Sequence, residues 1–304
     1  MKISIIIPSY NQGAFLGETL ESVFAQRGGV EREVLVFDGG STDQTLEVLR
    51  RHDAHIDYWE SSSDRGQTHA INKGLARMHG DVWMYLNSDD LLVQGALATI
   101  SRLFADPSVM WVSGCCETFD ESGTIGSVRP GPAATKKDFL APWNRPLQYI
   151  FPFSGACYLR REVFEQLGFL DETYNYSMDM EYYCRAVFEG KFGQTIINDV
   201  LAKWRIHAES KTVSRGIAYG FRSDEIRIAR TYEHYLTSKE RAEIDSEIGV
   251  QLRWLPIREA MWLLGQGRRK DALLLILHAA RASPDLLTFR PWLGALRRIC
   301  SGCS

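Results

Sequence analysis

No apolar run in this 304-residue chain approaches the roughly 18 residues that span a bilayer. After Lys2 the first run, residues 3–7, stops at Pro8, too short for the apolar core of a secretory leader. The longest later stretch, residues 272–280, is interrupted by His278. Cysteine is sparse: Cys115 and Cys116 are adjacent, Cys157 and Cys184 stand alone, and Cys300 and Cys303 form a terminal C-x-x-C. That spacing gives no disulfide framework, and no second pair is placed to complete a zinc site. Free thiols fit a reducing, cytoplasmic setting. Charge of one sign is scarce too: a net charge of −3 provides no basic field to recruit nucleic acid. What remains is a globular composition, 45% hydrophobic and 24% charged, long enough for one large domain or a domain with an extension.

The first hundred residues alternate two periods. Strands are predicted over residues 2–7, 33–38, 56–60 and 82–86, where β-branched and aromatic residues run continuously. Helices are predicted over residues 14–26, 43–52, 67–79 and 96–104. The first carries Phe15, Leu16, Leu20, Val23 and Phe24 on one face, and Ser41 or Thr42 caps the second. Such a β-α-β-α order implies an α/β fold, a mostly parallel sheet with helices on both faces. Further on, the pattern predicts a strand over 109–114, a hairpin over 117–129 turning at Glu121–Ser122–Gly123, and a long loop over 130–152. Short helices follow at 161–167 and 178–188, then a strand over 195–205. From about residue 216 the chain reads as helical, with a hairpin of helices turning at Gly265–Gln266–Gly267. This tail is basic and bears tryptophan: Arg253, Arg258, Arg268, Arg269, Lys270, Arg281, Arg297 and Arg298 accompany Trp254, Trp262 and Trp292. Either it offers a surface to an anionic membrane or a partner, or its cations line solvated faces while the tryptophans pack inward.

Ligands of such sheets gather at the carboxyl ends of the strands. There the chain sets Ser9, Tyr10, Asn11, Asp38, Glu60, Asn87 and Asp89. Two of these ends are acid-rich. The second strand runs into Asp38–Gly39–Gly40–Ser41–Thr42–Asp43, and the fourth into Asn87–Ser88–Asp89–Asp90. Oxygen ligands at a strand end can hold a hard divalent cation, and such a cation can hold a diphosphate, so the pair predicts a metal-nucleotide site.

Six motifs in order resemble the inverting glycosyltransferases of family 2, which have the GT-A fold. They are residues 5–11 (Ile5 to Asn11), Asp38–Asp43, Asp64–Arg65–Gly66–Gln67 with Ala70, Asn72, Lys73 and Gly74, Asn87–Ser88–Asp89–Asp90 after Gly80–Asp81, Met178–Asp179–Met180–Glu181–Tyr182 with Arg185, and Arg205–Ile206–His207 with Ser210. The resemblance covers roughly residues 1–210. It implies a glycosyltransferase domain over 1–215, with a nucleotide-sugar half at about 1–114 and an acceptor half at about 115–215, followed by a helical extension over 216–304. It further implies transfer of a sugar from a nucleotide diphosphate sugar, UDP-linked, with inversion, to a hydroxyl of a growing surface glycan or lipid-linked acceptor. The enzyme would lie in the cytoplasm or at the inner face of the membrane, held there by the basic tail.

Site residues follow from the same resemblance. Asp89 matches the last acid of the family's DXD and is the main ligand of Mg²⁺ or Mn²⁺. Asn87 stands where many members have Asp, so it falls near the ribose or behind the metal. Asp90 either supports Asp89 or caps the next turn. His207 is a further metal ligand or a phosphate contact, against the plain alternative of a solvated loop histidine. Asp38 accepts a base N–H or merely builds a turn. Pro8, Ser9, Tyr10 and Asn11 wall the base, and Glu60, Arg65, Asn72 and Ser88 complete the donor-side set. Asp179 is the base that takes the acceptor's proton, or else the N-cap of its helix. Ser154 and Gly155 resemble the segment beneath the donor sugar. Trp143, Tyr149, Phe151 and Phe153 either stack on sugar rings or fill core. Two other classes compete. A sugar nucleotidyltransferase would share the sheet and the metal but usually has a basic Gly-rich first loop, where this chain has Ser9–Tyr10–Asn11–Gln12–Gly13. A non-catalytic sugar-nucleotide-binding or scaffold protein would best explain Asn87.

Overall fold

The computed structural model describes residues 1–120, 122, 123, 126, 136–144, 153–207, 210, 220–282, 284 and 290–301. It divides into two compact units, residues 1–207 and 208–304.

The first unit is built on a sheet that holds eight strands among the described residues: β1 (Lys2–Ser9), β2 (Glu31–Asp38), β3 (Tyr58–Ser61), β4 (Val82–Tyr85), β5 (Leu91–Leu92), β6 (Trp111–Phe119), β7 (Cys157–Arg160) and β8 (Gln194–Arg205). Their order is β3-β2-β1-β4-β7-β6-β8-β5. Strand β1 occupies the centre because Ile3, Ile5, Ile6 and Ile7 are all fully buried, which only a strand covered on both faces allows. At about 1.5–3 kcal/mol for each such side chain, this one strand anchors the domain. The helices α1 (Leu16–Phe24), α2 (Thr45–His52), α3 (Gln67–Arg77) and α4 (Ala96–Leu103) fall where the 3.6-residue period predicts them. Leu16, Leu20 and Val23 of α1, with Val48 and Leu49 of α2, join the core formed with β1, β2 and β4.

Parallel pairing holds from β3 through β2 and β1 to β4. The sheet is mostly parallel, as expected, and its antiparallel pairs all lie beyond β4. Strand β7 runs antiparallel to both β4 and β6, β8 runs parallel to β6, and β5 runs antiparallel to β8. The reason lies in how β7 is entered. It follows directly on a single 3-10 turn, Ser154–Ala156, and leaves into α6 (Arg161–Leu167), so it runs back toward the amino ends of its neighbours. Strand β6 continues without a break to Phe119, where the sequence predicts a separate strand and hairpin. Most of the second arm of that hairpin, and most of the predicted 130–152 loop with Tyr149 and Phe151, lie outside the described residues; within the loop, α5 (Lys136–Leu140) is formed. The helix α7 (Met178–Phe188) matches its predicted bounds and lies over β4, with Tyr182 meeting Trp83 edge to face at 5.7 Å.

The second unit holds the helices α8 (Gly220–Tyr232), α9 (Ser238–Gly265), α10 (Arg269–Ala282) and α11 (Arg290–Ser301). Thr237 and Glu240 cap the start of α9 reciprocally, satisfying two orphan donors of its first turn. The chain then turns at residues 266–268 into α10, the helical hairpin that the sequence predicts. Ile257, Ala260 and Leu263 of α9 pack with Ala272 and Ile276 of α10 and Trp292 of α11. No described helix is long and apolar enough to cross a membrane.

Candidate active site

The loops that leave β1 and β2 are tied to each other before they could touch any ligand. Asn11, held at a positive φ of 52°, donates its backbone N–H to Ser41 Oγ at 2.7 Å and accepts from the Thr42 N–H at 2.9 Å. Gln12 N–H reaches Thr45 Oγ1 at 3.1 Å and Gly13 N–H reaches Asp43 Oδ2 at 2.8 Å. Gly13 is required for this approach: a Cβ there would stand 2.7 Å from the Thr45 nitrogen. Asp38 lies beneath, 1% exposed. Its carboxylate accepts from the Gly40 and Ser41 N–H groups and from the hydroxyls of Ser41 and Ser61. These bonds tie Asp38 into the turn after β2 and to the end of β3. Pro8 and Ser9 are buried, and Ser9 accepts the Gly39 N–H through its backbone oxygen. Tyr10, at 62% exposed, is the residue of this loop that offers a free face.

The loop after β4 is arranged differently. Asp89 Oδ2 lies 2.9 Å from His207 Nε2, the imidazole being almost fully buried and the carboxylate partly exposed. Phe15 packs on the same imidazole with ring centroids 4.5 Å apart. Asp90 turns inward. It is fully buried, accepts the Arg205 backbone N–H at 3.0 Å and is bonded by Asn87 Nδ2 at 3.0 Å. Burial, and then the neighbouring charge of Asp89, push the Asp90 carboxyl well above the usual range. Asp90 thus supports the loop. Asn87 is held from its other side by Gln67 Nε2 at 2.8 Å, and the Ser88 backbone oxygen by Thr19 Oγ1 at 2.9 Å.

Asp179 lies in the first turn of α7, half-buried. The N-cap of that helix is Ser177, and it makes no side-chain cap bond, so Asp179 is not the cap that the sequence left open. Its carboxylate accepts the Met180 N–H at 2.8 Å, and burial first, then the charge of Asp179, push the phenol of Tyr85, the last residue of β4, well above its ordinary value. One strand therefore leads into the loop of Asp89 and ends in a residue that feels the charge of Asp179. Glu181 points elsewhere, pairing with Arg185 at 2.7 Å.

Three donor-side residues are tied into ion pairs or backbone clamps. Glu60 pairs with Lys73 at 2.8 Å, and this bond leads the causes that hold its carboxyl below the ordinary value. Arg65 pairs with Glu172 at 2.7 Å. Asn72 donates to the Leu170 backbone oxygen and accepts the Leu170 N–H, at 2.9 and 3.0 Å, so its amide fixes the segment before α7. Phe153 stacks on Trp204 with centroids 5.8 Å apart, a contact within the chain.

The residues that brace the site have no such role in the sequence reading, although Arg205 and Gln67 stand within its motifs. Arg205 donates through Nε to the Asp89 backbone oxygen at 2.9 Å and pairs with Glu18 at 2.6 Å, while Phe15 and Phe119 lie under its guanidinium. Its signal was an arginine at the end of a strand, two residues before His207; buried there, its charge demands partners. Tyr85, Thr19 and Gln67 carry no such signal, since their partners are remote in sequence.

The donor set can be tested against a divalent cation. Among the described residues no group of three or more His, Cys, Asp and Glu could form a complete protein cage. Asp89 and His207 do bring an oxygen and a nitrogen donor to one point. That suits Mg²⁺ or Mn²⁺ held by few side chains, with the remaining positions filled by phosphate oxygens and water. The residues fit the ion in that limited sense.

Comparison with known proteins adds to this geometry. The model of the family described as Glycosyl transferase family 2 matches residues 4–168. An uncharacterized glycosyltransferase of Nostoc sp. is 28% identical over 284 residues, 89% of this chain and 79% of that protein. The GalNAc(5)-diNAcBac-PP-undecaprenol beta-1,3-glucosyltransferase of Campylobacter jejuni is 27% identical over 185 residues, 57% of this chain and 56% of that protein. Among solved structures, S. aureus TarS 1–349 in complex with UDP-GlcNAc matches 99% of the chain and 92% of its own length, with a TM-score of 0.63 and 17% identity. A mannosyltransferase from Pyrobaculum calidifontis in complex with GDP-Man and Mn²⁺ matches 97% and 80%, with a TM-score of 0.58 and 20% identity. At such identities these two likenesses speak to the fold alone: the GT-A arrangement of a mixed sheet flanked by helices, with a helical carboxyl-terminal region.

Proposed function

The chain belongs to glycosyl transferase family 2, and we propose that it moves a sugar from a UDP-sugar to a hydroxyl acceptor with inversion, Asp179 acting as the base. The observation that carries this reading is the convergence on β4: the strand runs on into Asp89, which meets His207 at 2.9 Å, and it ends in Tyr85, whose phenol feels the charge of Asp179. An inverting displacement needs those two poles in one place, a proton acceptor on the alcohol side and charge neutralisation on the diphosphate side. Tyr10 lies open as a face for the base, and Asn11 and Asp38 keep the loop around it in shape. Asp89 and His207 would hold a divalent cation, which when bound supplies positive charge to the departing diphosphate. Asp179, partly exposed, takes the proton of the attacking hydroxyl, a role worth roughly 10²–10⁴-fold in rate.

The acceptor in this reading is a lipid-linked glycan at the inner face of the membrane. Two observations support it. The Campylobacter relative is named for an undecaprenyl diphosphate-linked acceptor. On α10, Leu274 and Leu277 are exposed between Lys270 and Arg281, all four within one helical stripe, a form suited to an anionic lipid surface.

A panel of sugar nucleotides with Mn²⁺, read by nucleotide release, tests the reading. Turnover is expected with at least one UDP-sugar, and Asp179→Asn should lower kcat by about 10²–10⁴-fold while the melting temperature holds. Absence of release with every donor and acceptor mixture would instead favour the non-catalytic scaffold.

A further inference from the structure

Arg205 ends β8 as a buried cation, its side chain 6% exposed, and His207 follows two residues later. A charge taken out of water needs partners, and this one has them on three sides. On the first, its backbone N–H donates to the Asp90 carboxylate at 3.0 Å and its Nε to the Asp89 backbone oxygen at 2.9 Å. On the second, Nη2 donates to Glu18 Oε2 at 2.6 Å. Glu18 lies in the first turn of α1, where the helix end favours an acid, and is 60% exposed. On the third, the guanidinium carbon stands 4.5 Å from the ring centre of Phe119 and 5.0 Å from that of Phe15. The same Phe15 ring meets the imidazole of His207 at 4.5 Å, centroid to centroid.

Asp89 and His207 are 118 residues apart in the chain, yet their side chains meet at 2.9 Å. Arg205 joins the two segments that bring them there. It is bonded to the loop of one and belongs to the strand that runs into the other. Phe15 keeps the guanidinium and the imidazole against one ring. The guanidinium can bond in two directions at once because its donors form a rigid planar fork; an ammonium on a flexible stem has no such fork. A cation beside a cation site also repels the incoming ion. Glu18 offsets that repulsion, since its carboxylate lies directly on the guanidinium.

Resting on the reading of Asp89 and His207 as ligands of the divalent ion, we propose that Arg205 is the positioning residue of that pair and that Glu18 is its counter-charge. Arg205 sets the spacing of the oxygen and nitrogen donors. Glu18 lets a divalent ion sit beside Arg205.

Mn²⁺ titrated into the protein in the presence of UDP, with the free ion read by electron paramagnetic resonance, tests this. Arg205→Lys keeps the charge and loses the fork; it should weaken Mn²⁺ binding about 10–100-fold, the range for residues that orient a metal's ligands. Glu18→Gln keeps an acceptor oxygen and loses the charge, and should weaken it about threefold. Glu21→Gln removes the same charge from the same helix, where Glu21 faces His52 instead, and should leave Mn²⁺ binding unchanged. Metal-free UDP affinity, measured in EDTA, should stay within twofold in all three variants. Unchanged Mn²⁺ affinity in both Arg205→Lys and Glu18→Gln would overturn the proposal. So would equal losses from Glu18→Gln and Glu21→Gln, or metal-free UDP affinity falling in parallel with Mn²⁺ affinity, which would make Arg205 a prop of the fold at large. If Arg205→Lys does not fold, the two exposed glutamates decide alone. A wild type that takes up no Mn²⁺ would remove the reading of Asp89 itself, and this proposal with it.

Discussion

The carboxylates after β2 and after β4 look alike in the sequence and differ in the fold. Asp38 is sealed under its own turn, with four donors on its oxygens and almost no surface. Asp89 keeps part of its surface and faces an imidazole. The donors explain the difference. The β2 turn supplies one serine hydroxyl and two backbone N–H groups to Asp38, and Ser61 at the end of β3 supplies a second hydroxyl. After β4 it is Asp90, the next residue, that takes the inward position and the backbone donor from Arg205. Of two adjacent acids, one takes the buried donors and the other keeps part of its surface, whereas Asp38 takes the buried donors alone.

Exchange of roles would break that contrast. Asp89→Ala is expected to cost the most turnover, about 10²–10³-fold in kcat/KM, and chelation of divalent ions should bring the wild type to a similar level. Its stability cost should be small, about 1 kcal/mol for the His207 contact. Asp38→Ala should do the reverse: about 2–4 kcal/mol lost in denaturant unfolding, because several buried donors lose their acceptor. If Asp38→Ala instead raised the donor KM with unchanged stability, Asp38 would be a base contact and the contrast would fail. The smallest effect is expected at the end of β3. Lys73 lowers the Glu60 carboxyl, so its contribution to stability is present above the ordinary value of 4.5 and is lost as the pH falls through the lower folded value. The melting-temperature gap between wild type and Glu60→Gln should thus be open at pH 6 and close below about pH 4. A gap that widened with acid would contradict the Lys73 pairing.

The sequence carried the local half of this molecule. The periods of α1, α2, α3 and α7 and the apolar run of β1 are properties of neighbours in the chain, and the structure has them near their expected bounds. It did not carry pairings between distant residues. Arg205 and Asp90 are 115 residues apart, and Asn72 and Leu170 are 98 apart. The two-residue β5 is too short for any period to register. Which strands of the mostly parallel sheet would run antiparallel was not legible for a related reason, since strand direction depends on which end the chain enters, not on strand composition. Within the site, residue types at strand ends were readable, but which acid would be sealed and which left open depended on donors from other elements.

The most direct measurement is a crystal structure with UDP and Mn²⁺. An anomalous Mn²⁺ peak ligated by Asp89 and His207, with the diphosphate on it and the Asp179 carboxylate facing the vacant sugar position, is the predicted result. UDP bound away from the end of β4, or a metal with neither Asp89 nor His207 in its shell, would contradict the account.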